Sequence, residues 1–320
     1  MSSGQEPQRQ SQSVANASLN NPQTSSTMQQ QSPPPNPSSA PSPLTKADKD
    51  TMPASKVRYI DTAAAYDLWS TVYDTDGNFL QALDTIEMQT LLPRAISMLS
   101  PQPQSQHQPA DEAAHAQPVG LKAVDLGCGT GRNTLQLLSH ETITDIVGLE
   151  LSAKMLDIAQ QRCTDALLQR ASTTNPNPTL SFHQFNMLTD TLPPTAHNVD
   201  LVISTLVLEH IPLQPFFATA TSMLRPGGLL LLTNMHSDMG RISQAGFVDP
   251  KTGEKIRPTS YAHTVGDTMA AAEKAGLELV GDVKEVGVTE ELADVLGERA
   301  KKWIGIKVWF GGIWRRGSQQ

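Results

Sequence analysis

The chain has 320 residues, with 24 Lys and Arg against 32 Asp and Glu, a net charge of −8 and a pI of about 5.5. Nucleic-acid-binding proteins normally present a basic surface, so this acidic balance disfavours an RNA or DNA substrate. Its two cysteines, Cys128 and Cys163, fall in different predicted elements and indicate neither a disulfide framework nor a metal cluster. We therefore predict no metal site and a reduced, cytoplasmic setting.

The N-terminal segment differs in composition from the rest of the chain. Residues 1–55 consist largely of Ser, Gln, Pro and Asn, a composition that cannot bury enough apolar surface to offset the entropy of ordering, so we predict a disordered tail. It has neither the arginines of a transit peptide nor the apolar core of a secretory signal. No apolar run in the chain reaches membrane-spanning length. Two further low-complexity stretches, residues 101–119 and 172–178, are predicted surface loops.

Residues 56–100 are predicted to form a helical region ahead of the main domain. Within Tyr66–Asp74, the side chains of Tyr66, Trp69 and Tyr73 recur at three- and four-residue spacing and so share one helix face. Such an aromatic face suits a cationic ligand. An equally weighted alternative is an aromatic stripe buried in the core.

From residue 120 to residue 316, apolar strands alternate with amphipathic helices. This alternation predicts an α/β domain with a doubly wound, mainly parallel, seven-stranded sheet covered on both faces. The strand candidates are Lys122–Leu126, Asp145–Leu151, Leu180–Phe185, Val199–Leu206, Leu229–Met235, Leu277–Val286 and Ile304–Ile313. The helix candidates are Arg132–Ser139, Ser152–Arg170, Pro212–Leu224 and Ser260–Gly276.

The first strand of this domain runs into a turn with three alternate glycines, Gly127, Gly129 and Gly131. Glycines let backbone N–H groups approach a ligand closely, and the following helix points its partly positive N-terminus at that ligand. A dinucleotide fingerprint requires a third glycine where Arg132 stands. The acidic Asp125 would repel a pyrophosphate, whereas it suits a cationic ligand with an amino group.

Four ordered segments resemble the motifs of the class I S-adenosylmethionine (SAM) methyltransferases, in the type 11, ubiquinone/menaquinone-like group. They are Asp-Leu-Gly-Cys-Gly-Thr-Gly at 125–131, the segments 147–156 and 199–211, and Leu-Arg-Pro-Gly-Gly at 224–228. The resemblance extends over residues 123–235. It implies a Rossmann-like fold, an N-terminal lid and SAM as cofactor.

Several residues are expected to contact this cofactor. Glu150, about twenty residues past the glycine turn, is placed to accept hydrogen bonds from ribose hydroxyls, a role shared by SAM and NAD sites. The resemblance places Leu151 against the adenine and Asn186 with the next backbone N–H at its polar edge. The full predicted cofactor set is Asp125, Gly127, Cys128, Gly129, Gly131, Glu150, Leu151, Asn186, Met187, Thr205, Leu206 and Tyr73.

The acceptor side of the site is less sharply marked. His210 follows the fourth strand and is the predicted general base; alternatively it shapes the turn before Pro212 and packs against the sheet. A hairpin predicted over Gly246–Arg257 leads to two further aromatic side chains. The predicted substrate-contacting residues are Tyr66, Trp69, Tyr261 and His263, although His263 is at least as readily explained as a helix cap.

These observations predict an enzyme that transfers a methyl group from SAM to a small-molecule acceptor by in-line displacement. Positioning alone can supply roughly 7–11 kcal/mol, so the reaction needs no catalytic triad. A non-catalytic SAM-fold protein that supports a partner enzyme is the alternative, and retention of Asp125, the glycines and Glu150 argues against it. An NAD-dependent dehydrogenase is disfavoured by Arg132. The sequence does not determine whether the methylated atom is oxygen, nitrogen, carbon or sulfur, and it does not determine the oligomeric state.

Overall fold

A computed structural model describes residues 57–100, 120–170 and 177–318. The predicted disordered tail, the predicted loop at 101–119 and residues 172–176 of the second low-complexity stretch lie outside these described residues. Among the helices of the described part, none combines the length and apolar character that crossing a membrane would require.

The helices follow the predicted alternation from residue 120 onward. Ser152 caps the helix after the second strand of the domain, as its sequence predicts, because its Oγ accepts a hydrogen bond from the Met155 N–H at 3.2 Å. The helices are α1 Thr62–Trp69, α2 Phe79–Leu99, α3 Arg132–Leu138, α4 Ala153–Arg170, α5 Leu213–Met223, α6 Ser237–Ile242, α7 Val265–Lys274, α8 Glu290–Leu296 and α9 Glu298–Lys301. Two short 3₁₀ turns lie at Pro194–Ala196 and Leu208–His210.

Two sheets are built from the strands β1 Val57–Tyr59, β2 Leu121–Leu126, β3 Ile143–Glu150, β4 Thr179–Gln184, β5 Val199–Thr205, β6 Leu224–Met235, β7 Phe247–Val248, β8 Lys255–Arg257, β9 Leu277–Leu279, β10 Lys284–Gly287 and β11 Lys307–Arg316. The large sheet has the order β10-β11-β6-β5-β2-β3-β4, and β9 also pairs with β11. Strands β4, β3, β2, β5 and β6 are mutually parallel, and β11 is antiparallel to its neighbours. The order reverses at β2 and β5, so the sheet is doubly wound, as predicted.

The two faces of the large sheet carry separate apolar cores. Alternate residues of each central strand point to opposite faces; Ala123 and Ile203 pack under α2 and α3, whereas Val124 and Val202 pack under α5. Both faces are therefore covered by helices, and for that reason the middle of β5 (Leu201–Ile203) and of β6 (Leu229–Leu232) are continuous apolar runs.

The N-terminal helix and the hairpin after β6 form one cap. Strand β1 pairs in parallel with β8, and β7 pairs antiparallel with β8, giving a small three-stranded sheet. Trp69 of α1 stacks on Phe247 of β7, with ring centroids 5.1 Å apart and planes inclined by 14°. Asp67 of α1 accepts a hydrogen bond from Ser152 Oγ at 2.5 Å. The cap is thus held on the main domain at the N-terminus of α4.

Some predicted boundaries are wrong, for local reasons. The predicted closing strand Leu277–Val286 is two short strands, because Gly281 has a φ of +82° and turns the chain between them. The predicted helix Ser260–Gly276 begins at Val265, since Thr264 is its N-cap and accepts a hydrogen bond from Asp267 N–H. Helix α1 begins at Thr62, where Asp61 caps it, and Tyr73 lies in the turns that follow.

Candidate active site

A cavity with about 670 Å³ of empty space lies at the carboxyl ends of β2, β3 and β5. This is the edge at which open α/β sheets bind ligands. We call it the first cavity. The predicted site residues that line it are Tyr66, Tyr73, Gly127, Gly129, Glu150, Leu151, Asn186, Met187, Thr205, Leu206 and His210. The sequence-based prediction missed Thr62, Leu126, Leu149, Phe185, Val207 and Ile211, which also line it.

The glycine turn forms the floor of this cavity. Gly129 has a φ of +54°, and a Cβ added to it would meet no heavy atom of the described chain within 4 Å. Gly131 has a φ of +84°, and a Cβ there would lie 3.1 Å from the Ala159 Cα. Gly129 therefore leaves space open on the cavity side, whereas Gly131 allows α3 and α4 to pack closely.

Glu150 is buried at the end of β3. Its Oε2 accepts a hydrogen bond from Gly129 N–H at 2.9 Å, and its Oε1 accepts one from Ser152 N–H at 2.8 Å. Burial raises the pKa of this carboxyl, and the two backbone N–H groups oppose the rise. A carboxylate offers about four acceptor sites, so each oxygen retains a lone pair for a ligand in the cavity.

The opposite wall is formed by the turn after β4. Asn186 Oδ1 accepts a hydrogen bond from Leu188 N–H at 3.0 Å, and Asn186 N–H donates to Asp190 Oδ2 at 2.8 Å. The Asn186 side chain is thus held by its own turn, and Met187 lies beside it on the cavity wall.

Three members of the predicted cofactor set do not line the cavity. Asp125 is buried beneath the glycine turn, where its Oδ2 accepts a hydrogen bond from Thr134 Oγ1 at 2.6 Å. Burial raises the pKa of Asp125 to about 6, although that hydrogen bond opposes the rise. Cys128 packs against Leu156 of α4, and Gly131 is the N-cap of α3. The structure therefore does not bring these three residues to the cavity lining.

Arg132 is turned away from the cavity floor and toward α2. Its Nη2 lies 2.6 Å from Asp84 Oδ2, and Asp84 is fully buried. The other oxygen, Asp84 Oδ1, accepts hydrogen bonds from Thr233 Oγ1 at 2.5 Å and Trp309 Nε1 at 2.9 Å. Asp84 therefore links α2 to α3, β6 and β11, a role that sequence reasoning missed. Its one signal is a carboxylate on the mainly apolar buried face of α2, which also carries Gln81 and Glu87.

His210 lies at the edge of the first cavity with both ring nitrogens engaged. Its Nε2 is 2.7 Å from the Tyr66 hydroxyl, and its Nδ1 is 2.6 Å from the Thr259 carbonyl oxygen. Burial lowers the pKa of His210 to about 4. The structure thus brings His210 to the site, as a neutral ring bonded to the cap.

A second cavity, with about 820 Å³ of empty space, adjoins the first. Tyr66, Tyr73 and Leu206 line both cavities. Leu206 has a φ of +57°, an uncommon backbone conformation for a non-glycine residue, and such strain is often kept at functional sites. Predicted Trp69 also lines the second cavity. The two spaces meet at the aromatic side chains of the cap.

Glu209, which sequence reasoning did not single out, lines the second cavity and is 4% exposed. Its Oε2 has no hydrogen-bond partner among the described residues. Burial raises the pKa of Glu209 to about 7, and the nearby charge of Asp84 adds to the rise. A carboxylate placed between Leu208 and His210, directly after a buried strand, is the sequence signal that marks it.

The predicted substrate residues Tyr261 and His263 line neither cavity. Their rings stack on each other at 5.2 Å, and His263 Nε2 lies 2.9 Å from the Ile211 carbonyl oxygen. Tyr261 N–H donates to the Glu209 carbonyl oxygen at 2.7 Å. This segment supports the turn that carries Glu209 and His210. Within the described ranges, no group of three or more His, Cys, Asp or Glu side chains is arranged to hold a metal ion.

Comparison with known proteins identifies the family. The sequence profile of the methyltransferase domain matches residues 124–232. An uncharacterized methyltransferase of Emericella nidulans is 47% identical over 270 residues, which cover 80% of this chain and 91% of that protein. The chain belongs to the SAM-dependent methyltransferase family.

Two more distant matches accompany these. This methyltransferase is 29% identical to a ubiquinone biosynthesis O-methyltransferase of Methylococcus capsulatus over 130 residues, covering 39% of the chain and 48% of that protein. The crystal structure of a SAM-dependent methyltransferase from Mesorhizobium loti is 23% identical, with a TM-score of 0.45, over 64% of this chain and 95% of that chain.

The cofactor of the methyltransferase is SAM, and the first cavity fits it. Gly129 leaves the floor open where a Cβ would protrude, and Glu150 presents a buried carboxylate whose oxygens still have acceptor capacity. The aromatic rings of Tyr66 and Tyr73 lie 6.0 Å apart on the cap side, and aromatic faces attract cations such as a sulfonium.

Proposed function

We propose that this methyltransferase binds SAM in the first cavity and delivers the methyl group to a small-molecule acceptor in the second. The observation that carries the proposal is that the two cavities adjoin, with Tyr66, Tyr73 and Leu206 forming the shared wall. An in-line displacement needs a donor site and an acceptor site that meet at one point, and these residues mark that point.

Support for the cofactor roles comes from the walls of the first cavity. Glu150 would accept hydrogen bonds from the ribose hydroxyls, since its two backbone contacts leave acceptor capacity on both oxygens. Leu151 and Phe185 would pack on the adenine, with Asn186 and Met187 at its edge. Thr205, whose Oγ1 accepts a hydrogen bond from Asn133 Nδ2 at 2.6 Å, would lie at the methionine end.

Bound SAM would supply an electrophilic methyl group on a sulfonium sulfur, and the leaving group would be a neutral thioether. The chain's own contribution is chiefly to position the acceptor and exclude water, which can lower the barrier by roughly 7–11 kcal/mol. Tyr66 and Tyr73 contribute to this exclusion because both side chains are partly buried and line both cavities.

The shape of the second cavity supports a small-molecule acceptor. It is a concave space lined by apolar and aromatic side chains with a few charged groups, as small-molecule sites usually are. Trp69 and Gly246 of the cap line it, and Trp303, which follows α9, also lines it. We further propose that residues 56–100 act as the lid of the domain at 120–316, because Asp67 and Trp69 fasten α1 to α4 and β7.

The test is to incubate the full chain with methyl-labelled SAM and a cell extract separated into small-molecule and macromolecular fractions. The proposal predicts label in the small-molecule fraction and none in protein or nucleic acid. Label confined to the macromolecular fraction would overturn the proposed acceptor class, and no transfer to either fraction would overturn the activity.

A further inference from the structure

The charged side chains on the second cavity are unevenly distributed. Its lining includes three cations, Lys255, Arg299 and Lys302, and a single carboxylate, the buried Glu209. We propose that the second cavity takes an anionic acceptor, whose negative group is held by these cations while Glu209 removes the proton from the atom that is methylated. This inference rests on the proposed function, in which the second cavity holds the acceptor.

Two of the three cations, Lys255 and Lys302, are available to an anion. Within the described part of the chain, neither Lys255 nor Lys302 forms an ion pair, and the Lys302 ammonium lies 5.2 Å from the Trp303 ring centroid. Arg299 is held by Asp76, with 3.8 Å between Nη1 and Oδ1. Burial lowers the pKa of Lys255, and the charges of Arg257, Lys302 and Arg299 lower it further. Like charges gathered at one cavity create a field that attracts an anion.

Glu209 is placed to take a proton. Its Oε2 is buried with no hydrogen-bond partner in the described part of the chain, and a buried carboxylate in that state can accept a proton readily. The titratable groups around it are His210 on the same turn, with 3.9 Å from Nε2 to Oε1, Tyr66 and Tyr73 from the cap, and Asp84 from α2. The pKa of His210 is lowered and those of both tyrosines are raised, so all three are neutral near pH 7.

The step balances without any further reactant. The acceptor atom X loses its proton to Glu209 as its electron pair forms the X–CH₃ bond. The carbon–sulfur bond breaks, and its electron pair stays on sulfur as a thioether. Glu209 then returns the proton to water when the products leave. The acceptor class is therefore a small anion with a weakly acidic O–H, N–H or S–H group.

Two fluorescent probes test the cavity without the natural acceptor. 1-Anilinonaphthalene-8-sulfonate is an anion, and N-phenyl-1-naphthylamine is its uncharged counterpart. Both are titrated into the full chain saturated with S-adenosylhomocysteine, at about pH 6 and about pH 8, on either side of the Glu209 pKa. The variants are the double substitution Lys255→Met and Lys302→Met, and Glu209→Gln. Lys274→Met, at an exposed lysine of α7, is the matched control.

We expect the lysine double variant to lose about tenfold or more in sulfonate affinity while its affinity for the neutral probe stays the same. Sulfonate binding to the wild type should weaken several-fold from about pH 6 to about pH 8, because Glu209 ionises, and this dependence should vanish in Glu209→Gln. Equal loss of both probes in the double variant, or an unchanged pH dependence in Glu209→Gln, would overturn the inference.

The labelled-extract assay separates the two proposals. Glu209→Gln should reduce label transfer by about 10²- to 10⁴-fold and remove the rise in rate near neutral pH, whereas Glu278→Gln at an exposed position should not. If the wild type labels small molecules and Glu209→Gln does so equally well, the inference fails and the proposed function stands. If the wild type transfers no label, the proposed function fails, and the probe titrations still decide the anion site.

Discussion

The Tyr66 hydroxyl lies 2.7 Å from His210 Nε2, and His210 Nδ1 lies 2.6 Å from the Thr259 carbonyl oxygen. A carbonyl oxygen only accepts, so Nδ1 carries the proton and Nε2 accepts from Tyr66. With a pKa of about 4, lowered by burial, His210 is neutral at pH 7. We infer that His210 acts as a positioning residue, which holds Tyr66 at the wall between the two cavities.

If this is so, Tyr66→Phe and His210→Ala disrupt the same hydrogen bond. Each should slow methyl transfer by about tenfold, as loss of one buried hydrogen bond predicts. The double variant should be little slower than either single variant, because the two side chains act as a unit. Label transfer from the extract measures all three rates. Rate losses that simply multiply, or a loss of about 10²-fold or more in His210→Ala alone, would favour the general-base role instead.

Substitution of glycine by alanine should have different effects at two positions of the glycine turn. Gly129→Ala should weaken SAM binding at least about tenfold, because its methyl group would enter the first cavity, with a stability cost of about 1 kcal/mol for the positive φ. Gly131→Ala should destabilise the fold more, since its Cβ would also press on Ala159 of α4. Calorimetry with SAM and urea unfolding measure the two effects. If the two variants lost SAM affinity and stability to the same extent, it would be wrong to assign Gly129 to the cavity and Gly131 to helix packing.

Glu209 should make the protein less stable as the pH rises. Its pKa is about 7 in the folded chain against 4.5 for the free group. The native state therefore binds more protons between these values, and stability is lost as the pH rises through that window. Glu209→Gln should be more stable than the wild type by about 1–3 kcal/mol near pH 8 and about equal to it near pH 4.5.

Urea unfolding across this pH range measures the difference, with Glu278→Gln as the exposed control. Asp125, whose pKa is also raised, is the same in every variant and cancels from the comparison. A constant stability difference between wild type and Glu209→Gln at all pH values would contradict the buried, unpartnered carboxylate.

The Trp69–Phe247 stack should hold the cap closed. Phe247→Ala removes the ring that packs on Trp69, and hydrogen exchange over residues 62–74 should then quicken, while exchange in β2, β3 and β5 stays slow. Val248→Ala, at the exposed neighbouring position, is the matched control and should leave exchange unchanged. Faster exchange throughout the large sheet would instead indicate that Phe247 supports the whole fold.

Much of the domain could be predicted from the sequence because its signals are local. The run Val199–Thr205 has an apolar middle at Leu201–Ile203 and became a central strand, and Ser152 capped its helix as expected. The end of α1 was missed: Tyr73 was expected on the helix face of Tyr66, but the helix ends at Trp69, and no Gly or Pro marks that end in the sequence. The split between β9 and β10 depends on one glycine with positive φ, which the surrounding pattern does not reveal.

The candidate site was predictable only where consecutive elements, β2, α3 and β3, build it. The glycine turn and Glu150 lie together as their spacing indicates. The orientation of Asp125 depends on Thr134, and that contact is set by how α3 packs. The second cavity gathers Glu209, Lys255 and Lys302 from three separate segments, so no spacing rule marks it. Sequence patterns therefore marked most of the residues that line the first cavity but not the charges of its neighbour.

Calorimetric titration of SAM into the full chain and into Glu150→Ala tests the central claim most directly, with Glu141→Ala at an exposed position as control and NAD as the competing ligand. The account predicts one SAM per wild-type chain, binding at least about tenfold weaker in Glu150→Ala, normal binding in Glu141→Ala and no heat from NAD. Absence of SAM binding to the wild type, or equal affinity in Glu150→Ala, would contradict it.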